Sequence, residues 1–141
     1  MVLRGLAATL LGLVARAAAA AEIVTADLPD SNLLRRFEAL LEKEFLKHWS
    51  VSDYARALAV SPTHLSRVTR GATGRAASYL IDERIVREAR RNLAYTQLQI
   101  ATIADTLGFN DAAYFSRVFT RVTGVSPRQF RSQLFASPTA Q

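Results

Sequence analysis

A short string in the middle of the chain returns near its end. Leu65-Ser66-Arg67-Val68-Thr69-Arg70-Gly71-Ala72-Thr73-Gly74 is echoed by Phe115-Ser116-Arg117-Val118-Phe119-Thr120-Arg121-Val122-Thr123-Gly124, with Ser, Arg, Val, Thr and Gly recurring at an offset of 50. Upstream, Ala55-x-x-Leu58 returns as Ala104-x-x-Leu107 at an offset of 49, so the second copy has one extra residue in its turn. Each copy reads as a short helix, a tight turn and a second short helix, the helix-turn-helix pattern. One such motif is a weak signal; two in register on one chain are a strong one.

The side chains suit that geometry. Where two short helices cross steeply the first must offer a small residue, and Ala55 and Ala104 do. The turn calls for a residue that tolerates positive φ, followed by an apolar plug. Gly108-Phe109 meets this fully and Ala59-Val60 with some strain, since alanine lacks glycine's freedom. The second helix of each copy has an inward stripe, Leu65, Val68 and Thr69 against Phe115, Val118 and Phe119. At about 100° per residue the opposite face holds Thr63, Ser66, Arg67 and Arg70 in the first copy. In the second it holds Ala113, Ser116, Arg117 and Thr120. These faces are polar or small, with an arginine at the same place in both. His64 sits off the outward face and reads as a packing or cap residue.

Helical spacing continues outside the repeat. Leu33, Leu34, Phe37, Leu40, Leu41 and Phe45 predict a helix over 32–48, with Trp49 packed at its end. Ser50 and Asp53 form a capping box opening the next helix at Val51. Ser61-Pro62 opens a third, through about Arg70, which Gly71 and Gly74 stop. A long helix follows over 76–95, with Leu80, Ile81, Ile85, Ala89 and Leu93 on one face and a Glu83–Arg87 pair outside. A fifth spans 100–107. Asp111 caps a sixth that ends at Gly124, and Ser126-Pro127 opens the last, with Phe130 and Leu134 inward. No segment alternates like a strand. The expected fold is all-α, two helix-turn-helix units and about seven helices joined by a long central helix.

Composition narrows the function. The absence of cysteine removes thiolate metal sites and cysteine nucleophiles, and two histidines sixteen apart are too sparse for a metal cluster or a triad. The loop Gly71-Ala72-Thr73-Gly74-Arg75 lacks the lysine and spacing of a P-loop. An enzyme is therefore not expected, and no cofactor or metal is implied. The net charge is +6. Residues 1–50 contribute nothing to it, with six basic and six acidic side chains, whereas residues 51–141 hold twelve basic and six acidic ones. A basic helical domain points to a polyanionic partner.

Residues 1–21 imitate a signal peptide, but Arg16 interrupts the passage where a cleavage region should be small and neutral. The apolar run from Gly5 to Ala15 is also too short for a bilayer, which needs about 20 residues. Leu3, Leu6, Leu10, Leu13 and Ala17 step by 3, 4, 3 and 4, the seam of a helix pair. The expectation is an N-terminal helix that makes a homodimer through residues 1–20, ahead of a linker at Asp27-Leu28-Pro29-Asp30-Ser31; a targeting or membrane segment is the alternative. The double unit then occupies 32–135 and residues 136–141 form a tail.

Over residues 33–135 the sequence resembles the AraC/XylS family of bacterial transcription regulators. The densest likeness runs from Ile103-Ala104-Asp105-Thr106-Leu107-Gly108-Phe109 through Tyr114-Phe115-Ser116-Arg117-Val118-Phe119 to Gly124-Val125-Ser126-Pro127 and Phe130-Arg131. The segments around Trp49–Ala55 and Ser61–Arg67 are most similar to activators of aromatic-acid degradation. The resemblance implies a cytoplasmic regulator of double-stranded DNA, an activator working with RNA polymerase. It places base-reading positions on Thr63, Ser66 and Arg67 and on Ala112, Ala113, Ser116 and Arg117. Arg67 and Arg117 would read base edges, Ala112 and Ala113 would offer methyl contacts to thymine, and Arg70 and Arg121 would sit on phosphate. A non-specific architectural or nucleic-acid-binding protein is the competing reading. Thr69 stands where the family commonly has a larger apolar residue, and Gln99 where a hydroxyl cap is usual. Larger family members have an effector-binding domain; residues 1–25 resemble only the helix that would close one, which leaves a short regulator and a trimmed longer chain both open.

Overall fold

Four helix starts are set by a side-chain oxygen just ahead of the first helical residue, where backbone N–H groups lack helical acceptors. Ser50 Oγ accepts the Asp53 N–H at 3.2 Å and the Asp53 carboxylate accepts the Ser50 N–H at 3.0 Å, which closes the capping box. Ser61 accepts from the His64 N–H at 3.0 Å, Asp111 from the Tyr114 N–H at 2.6 Å and Ser126 from the Gln129 N–H at 3.1 Å. Gln99 precedes its helix without a side-chain cap bond.

The computed structural model describes residues 29–136. Within them the chain forms α1 (Pro29–Glu44), a 3-10 turn (Phe45–Lys47), α2 (Val51–Ala57), α3 (Pro62–Thr73), α4 (Ala77–Tyr95), α5 (Ile100–Thr106), α6 (Ala112–Thr123) and α7 (Pro127–Ala136). Among the described residues there are seven α-helices and no strand, the expected all-α architecture. The helix expected over residues 1–20, and residues 137–141 of the tail, lie outside the described residues.

The long helix α4 is the spine. Ala77, Ile81, Ile85, Val86, Ala89 and Leu93 are buried along it, and it packs against both units. In the first unit Phe37 of α1 meets Tyr54 of α2 edge-on at 5.5 Å between ring centroids. In the second, Phe109, Phe115, Phe119 and Phe130 form a run of rings spaced at 5.2, 5.9 and 5.6 Å. Trp49 packs edge-on against Tyr54 at 5.2 Å, at the end of the first helical segment. Burying an aromatic or branched side chain of this kind contributes about 1.5–3 kcal/mol, so these clusters and α4 hold the fold together.

The two turns share one hydrogen-bond pattern. Val60 N–H donates to Ala55 O at 3.0 Å and Phe109 N–H to Ala104 O at 3.0 Å. Ala59 and Gly108 take the left-handed conformation that the turn requires, at φ +61° and +90°. Ala55 and Ala104 are each 1% exposed, so the crossing has no room for a longer side chain. The extra residue of the second copy is Asn110, between the plug Phe109 and the cap Asp111.

Four details differ from the sequence reading. Pro29, Asp30 and Ser31 belong to α1 and not to a linker, because proline is tolerated in a first helical turn, where its missing N–H would be unpaired anyway. Gly71 lies inside α3, which ends at Gly74 with φ +79°. Arg87 approaches Glu42 of α1 at 3.9 Å in place of Glu83. Leu134 is exposed, because α7 meets the core through Pro127 and Phe130 and its last turn runs beyond that contact.

Candidate nucleic-acid interface

The repeat that is visible in sequence is a repeat of exposure. In α3, Leu65, Val68 and Thr69 are buried; in α6, Phe115, Val118 and Phe119 are buried at the same offset. Thr69 hides its hydroxyl by donating to Ser66 O at 3.0 Å, which satisfies the polar atom that a larger apolar residue would not bring. On the other side Thr63, Arg67 and Arg70 are exposed and Ser66 is half-buried. In α6, Ala113, Arg117, Thr120 and Arg121 are exposed while Ala112 and Ser116 are half-buried. Even the C-terminal caps recur: Thr73 Oγ1 accepts the Arg75 N–H at 3.1 Å, and Thr123 Oγ1 the Val125 N–H at 3.2 Å.

Each outward face opens on its own cleft, and each cleft shares a lining residue with a depression over α4. A cavity of about 640 Å³ lies between the units, lined by Val51, Tyr79, Asp82, Tyr114 and Arg121 among others. Val51 also lines the cleft under Thr63, Ser66, Arg67 and Arg70, and Tyr114 lines the cleft that holds Asp111 and Arg117.

Not every cation of the basic half is turned to this side. Arg84 donates to both Glu42 oxygens at 2.8 and 2.9 Å and lies over the Phe45 ring at 3.8 Å; that bond holds the Glu42 carboxyl below the usual carboxylate range. Arg131 donates to Leu93 O, Leu98 O and Thr96 O at 3.1, 2.6 and 3.2 Å, closing the carbonyl end of α4. Arg121 donates to Asp82 Oδ2 of α4 at 2.7 Å, which pushes its own pKa up. Arg67, Arg70 and Arg117 stand in no ion pair among the described residues.

Two contacts were not read from the sequence. Arg67 Nη2 lies 2.7 Å from His64 Nδ1, and the Arg117 guanidinium sits over the Tyr114 ring at 5.6 Å. Their signal was present, an aromatic ring three residues before each arginine at the same offset of 50. The backbone N–H of His64 donates to the Ser61 cap, but its side chain lies beside Arg67 and caps nothing. At the seam between the units, His48 takes φ +59° and meets Phe109 edge-on at 4.4 Å. Its buried Nε2 has no hydrogen-bond partner among the described residues, and burial pushes its pKa down.

Among the described residues no group of histidine and carboxylate side chains is arranged to hold a metal ion, and no helix is long and apolar enough to cross a membrane.

Comparison with known proteins agrees with this architecture. The family model described as a helix-turn-helix domain matches residues 54–133. The arabinose operon regulatory protein of Salmonella typhimurium is 34% identical over 85 residues, covering 60% of this chain and 30% of the relative. The HTH-type transcriptional activator RhaR of Yersinia pseudotuberculosis is 29% identical over 111 residues, covering 79% of this chain and 38% of the relative. The chain thus spans well under half the length of these curated relatives. Among solved structures, the C-terminal domain of AraT, a response regulator from Geobacillus stearothermophilus, superposes with a TM-score of 0.68 at 31% identity, covering 74% of this chain and 88% of that one. With two capped helix-turn-helix units on one long helix, and with a family match over more than half its length, the chain belongs to the AraC/XylS family of DNA-binding transcription regulators.

Proposed function

We propose that the protein binds a specific duplex DNA sequence by placing α3 and α6 in adjacent major-groove segments, and that it activates transcription there. The observation that carries this reading is the matched exposure of Arg67 and Arg117 on two equivalent helices, each beside its own cleft and both packed on α4. The central helix has 19 residues, about 28 Å at 1.5 Å per residue, against roughly 34 Å between successive major-groove windows. The shortfall favours a bent duplex, at an elastic cost of about 1–6 kcal/mol offset by the second set of contacts.

Arg67 and Arg117 are the base readers, guanine O6 and N7 being the commonest arginine target. Thr63, Ser66 and Ser116 offer hydroxyls, Ala112 and Ala113 methyl contact with thymine, and Arg70, Thr120 and Arg121 lie toward phosphate. The activator role rests on the name of the RhaR relative and would engage RNA polymerase in the cytoplasm; a homodimer through residues 1–20 rests on the leucine seam alone.

The test is selection of bound sequences from a random duplex pool, followed by Arg67→Ala and Arg117→Ala. Each variant should lose about 1–3 kcal/mol on the selected duplex, relax preference at its own base positions and keep most non-specific binding. If both variants select the parent's sequence with the parent's affinity, base reading by these arginines is refuted. A selected-to-random affinity ratio near one at fixed salt would favour the architectural reading instead.

A further inference from the structure

We propose that His64 and Tyr114 are positioning residues, each holding the base-reading arginine one helical turn ahead of it without cancelling that arginine's charge. The inference rests on the assignment of Arg67 and Arg117 as readers and adds what orients them. Side chains three apart on a helix are neighbours, and both pairs use that spacing at the same place in the repeat.

Arginine is long and has many rotamers, so an exposed guanidinium arrives at a base edge only after losing that freedom. Arg84 is fixed by Glu42, Arg121 by Asp82 and Arg131 by three carbonyl oxygens, while Arg75, outside the two reading positions, also lies over a ring, Tyr79, at 4.2 Å. A carboxylate partner orients but also neutralises, which weakens attraction to a polyanion. Among the described residues Arg67 and Arg117 have neither kind of partner. Arg67 donates from Nη2 to His64 Nδ1 at 2.7 Å, which requires the imidazole to be neutral with its proton on Nε2. Arg117 lies over the face of Tyr114 at 5.6 Å, and that ring is itself braced against Phe109 at 5.7 Å. A neutral lone pair and a π face each fix a direction while leaving the positive charge whole.

The two devices differ in chemistry. His64 acts through an in-plane nitrogen and Tyr114 through its ring face. The same replacement, phenylalanine, therefore has opposite outcomes in the two units. His64→Phe removes the acceptor, whereas Tyr114→Phe keeps the face. Tyr114 also lies beside Arg121, but a change at a phosphate contact alters all sequences alike and cancels in an affinity ratio.

The experiment uses the full chain, the duplex that the parent selects from a random pool, and a scrambled duplex of equal length at one salt concentration. The ratio of the two affinities should fall about 3- to 10-fold for His64→Phe and Tyr114→Leu. It should stay within about 2-fold of the parent for Tyr114→Phe and for His64→Gln, whose amide oxygen restores an acceptor. Relaxed base preference should be confined to the positions read by the affected helix. Tyr114→Leu keeps the apolar contact with Phe109, and equal melting temperatures exclude unfolding as the cause. A parental ratio for His64→Phe overturns the first half of the proposal, and an equal loss for Tyr114→Phe and Tyr114→Leu overturns the second. Arg67→Ala and Arg117→Ala measured alongside separate the failures. If they lose preference and the ring variants do not, positioning is wrong and reading stands; if they too match the parent, the reading itself has failed.

Discussion

Replacing Gly108 by alanine should destabilise the protein far more than its sequence counterpart suggests, because Ala59 occupies the equivalent turn at the cost of backbone strain alone. Two terms act at Gly108. Its φ of +90° is strained for any residue with a Cβ, at roughly 1–2 kcal/mol. A Cβ placed there would also lie 3.0 Å from Leu46 O and 3.3 Å from His48 Cδ2. Leu46 O is backbone in the 3-10 turn, so relief requires shifting that turn, and overpacking of this kind adds about 1–3 kcal/mol. The stiffer unfolded chain returns about 0.4–1 kcal/mol. The net loss is about 1–4.5 kcal/mol, centred near 3, a fall on the order of 10 °C in melting temperature for a domain of this size. Ala59 is exposed at φ +61°, so Ala59→Gly removes only strain and should be stabilising by roughly 0.5–1 kcal/mol after the entropy term. Urea and thermal unfolding of the two single variants decide the matter. A Gly108→Ala cost no larger than about 1 kcal/mol would mean that the 3-10 turn does not press on the second unit, and the seam described here would be wrong.

Acid should weaken the same seam. Burial holds the His48 pKa below its ordinary 6.5, with Asp82 pulling the other way. Below that value the unfolded chain takes up a proton that the folded one resists, so stability is level above it and falls as pH drops through it. The melting temperature of the parent should fall more steeply between about pH 7.5 and 5 than that of His48→Asn, which keeps a residue tolerant of left-handed backbone; parallel curves would place the titration elsewhere. Arg121→Ala breaks a pair whose side chains are 57% and 25% exposed, so stability should change by less than about 0.5 kcal/mol. If Arg121 also meets phosphate, random-duplex affinity falls and the salt slope shrinks by about 1. An unchanged slope confines it to tying α6 to α4.

Most of the local structure was legible because its causes are local. A serine or aspartate ahead of a helix offers its oxygen to N–H groups two or three residues on, whatever the rest of the fold does, and Ser50, Ser61, Asp111 and Ser126 all behaved so. The inward stripes of α3 and α6 followed from helical periodicity. The errors share a different origin. Glu83 and Arg87 have helix-compatible spacing, but Glu42 of α1 lies close enough to compete for Arg87. Leu134 keeps the apolar rhythm of α7 but runs past the helix that would cover it. Pro29 was read by its power to break a helix interior and not by its fitness for a first turn.

The residues alone determined the unit and its duplication: small side chain at the crossing, left-handed turn, apolar plug, capped second helix, arginine outward. Each is a short-range requirement of one chain segment. What required the tertiary structure was which cations have a partner on a distant element and which do not. Composition counts Arg84, Arg121 and Arg131 equally with Arg67 and Arg117, yet the first three find carboxylates or carbonyls on elements 33 to 42 residues away. Only the packing of α1, α6 and α7 against α4 brings those acceptors near. It also sets each second helix against α4, so that the cleft of each outward face adjoins a depression over that helix.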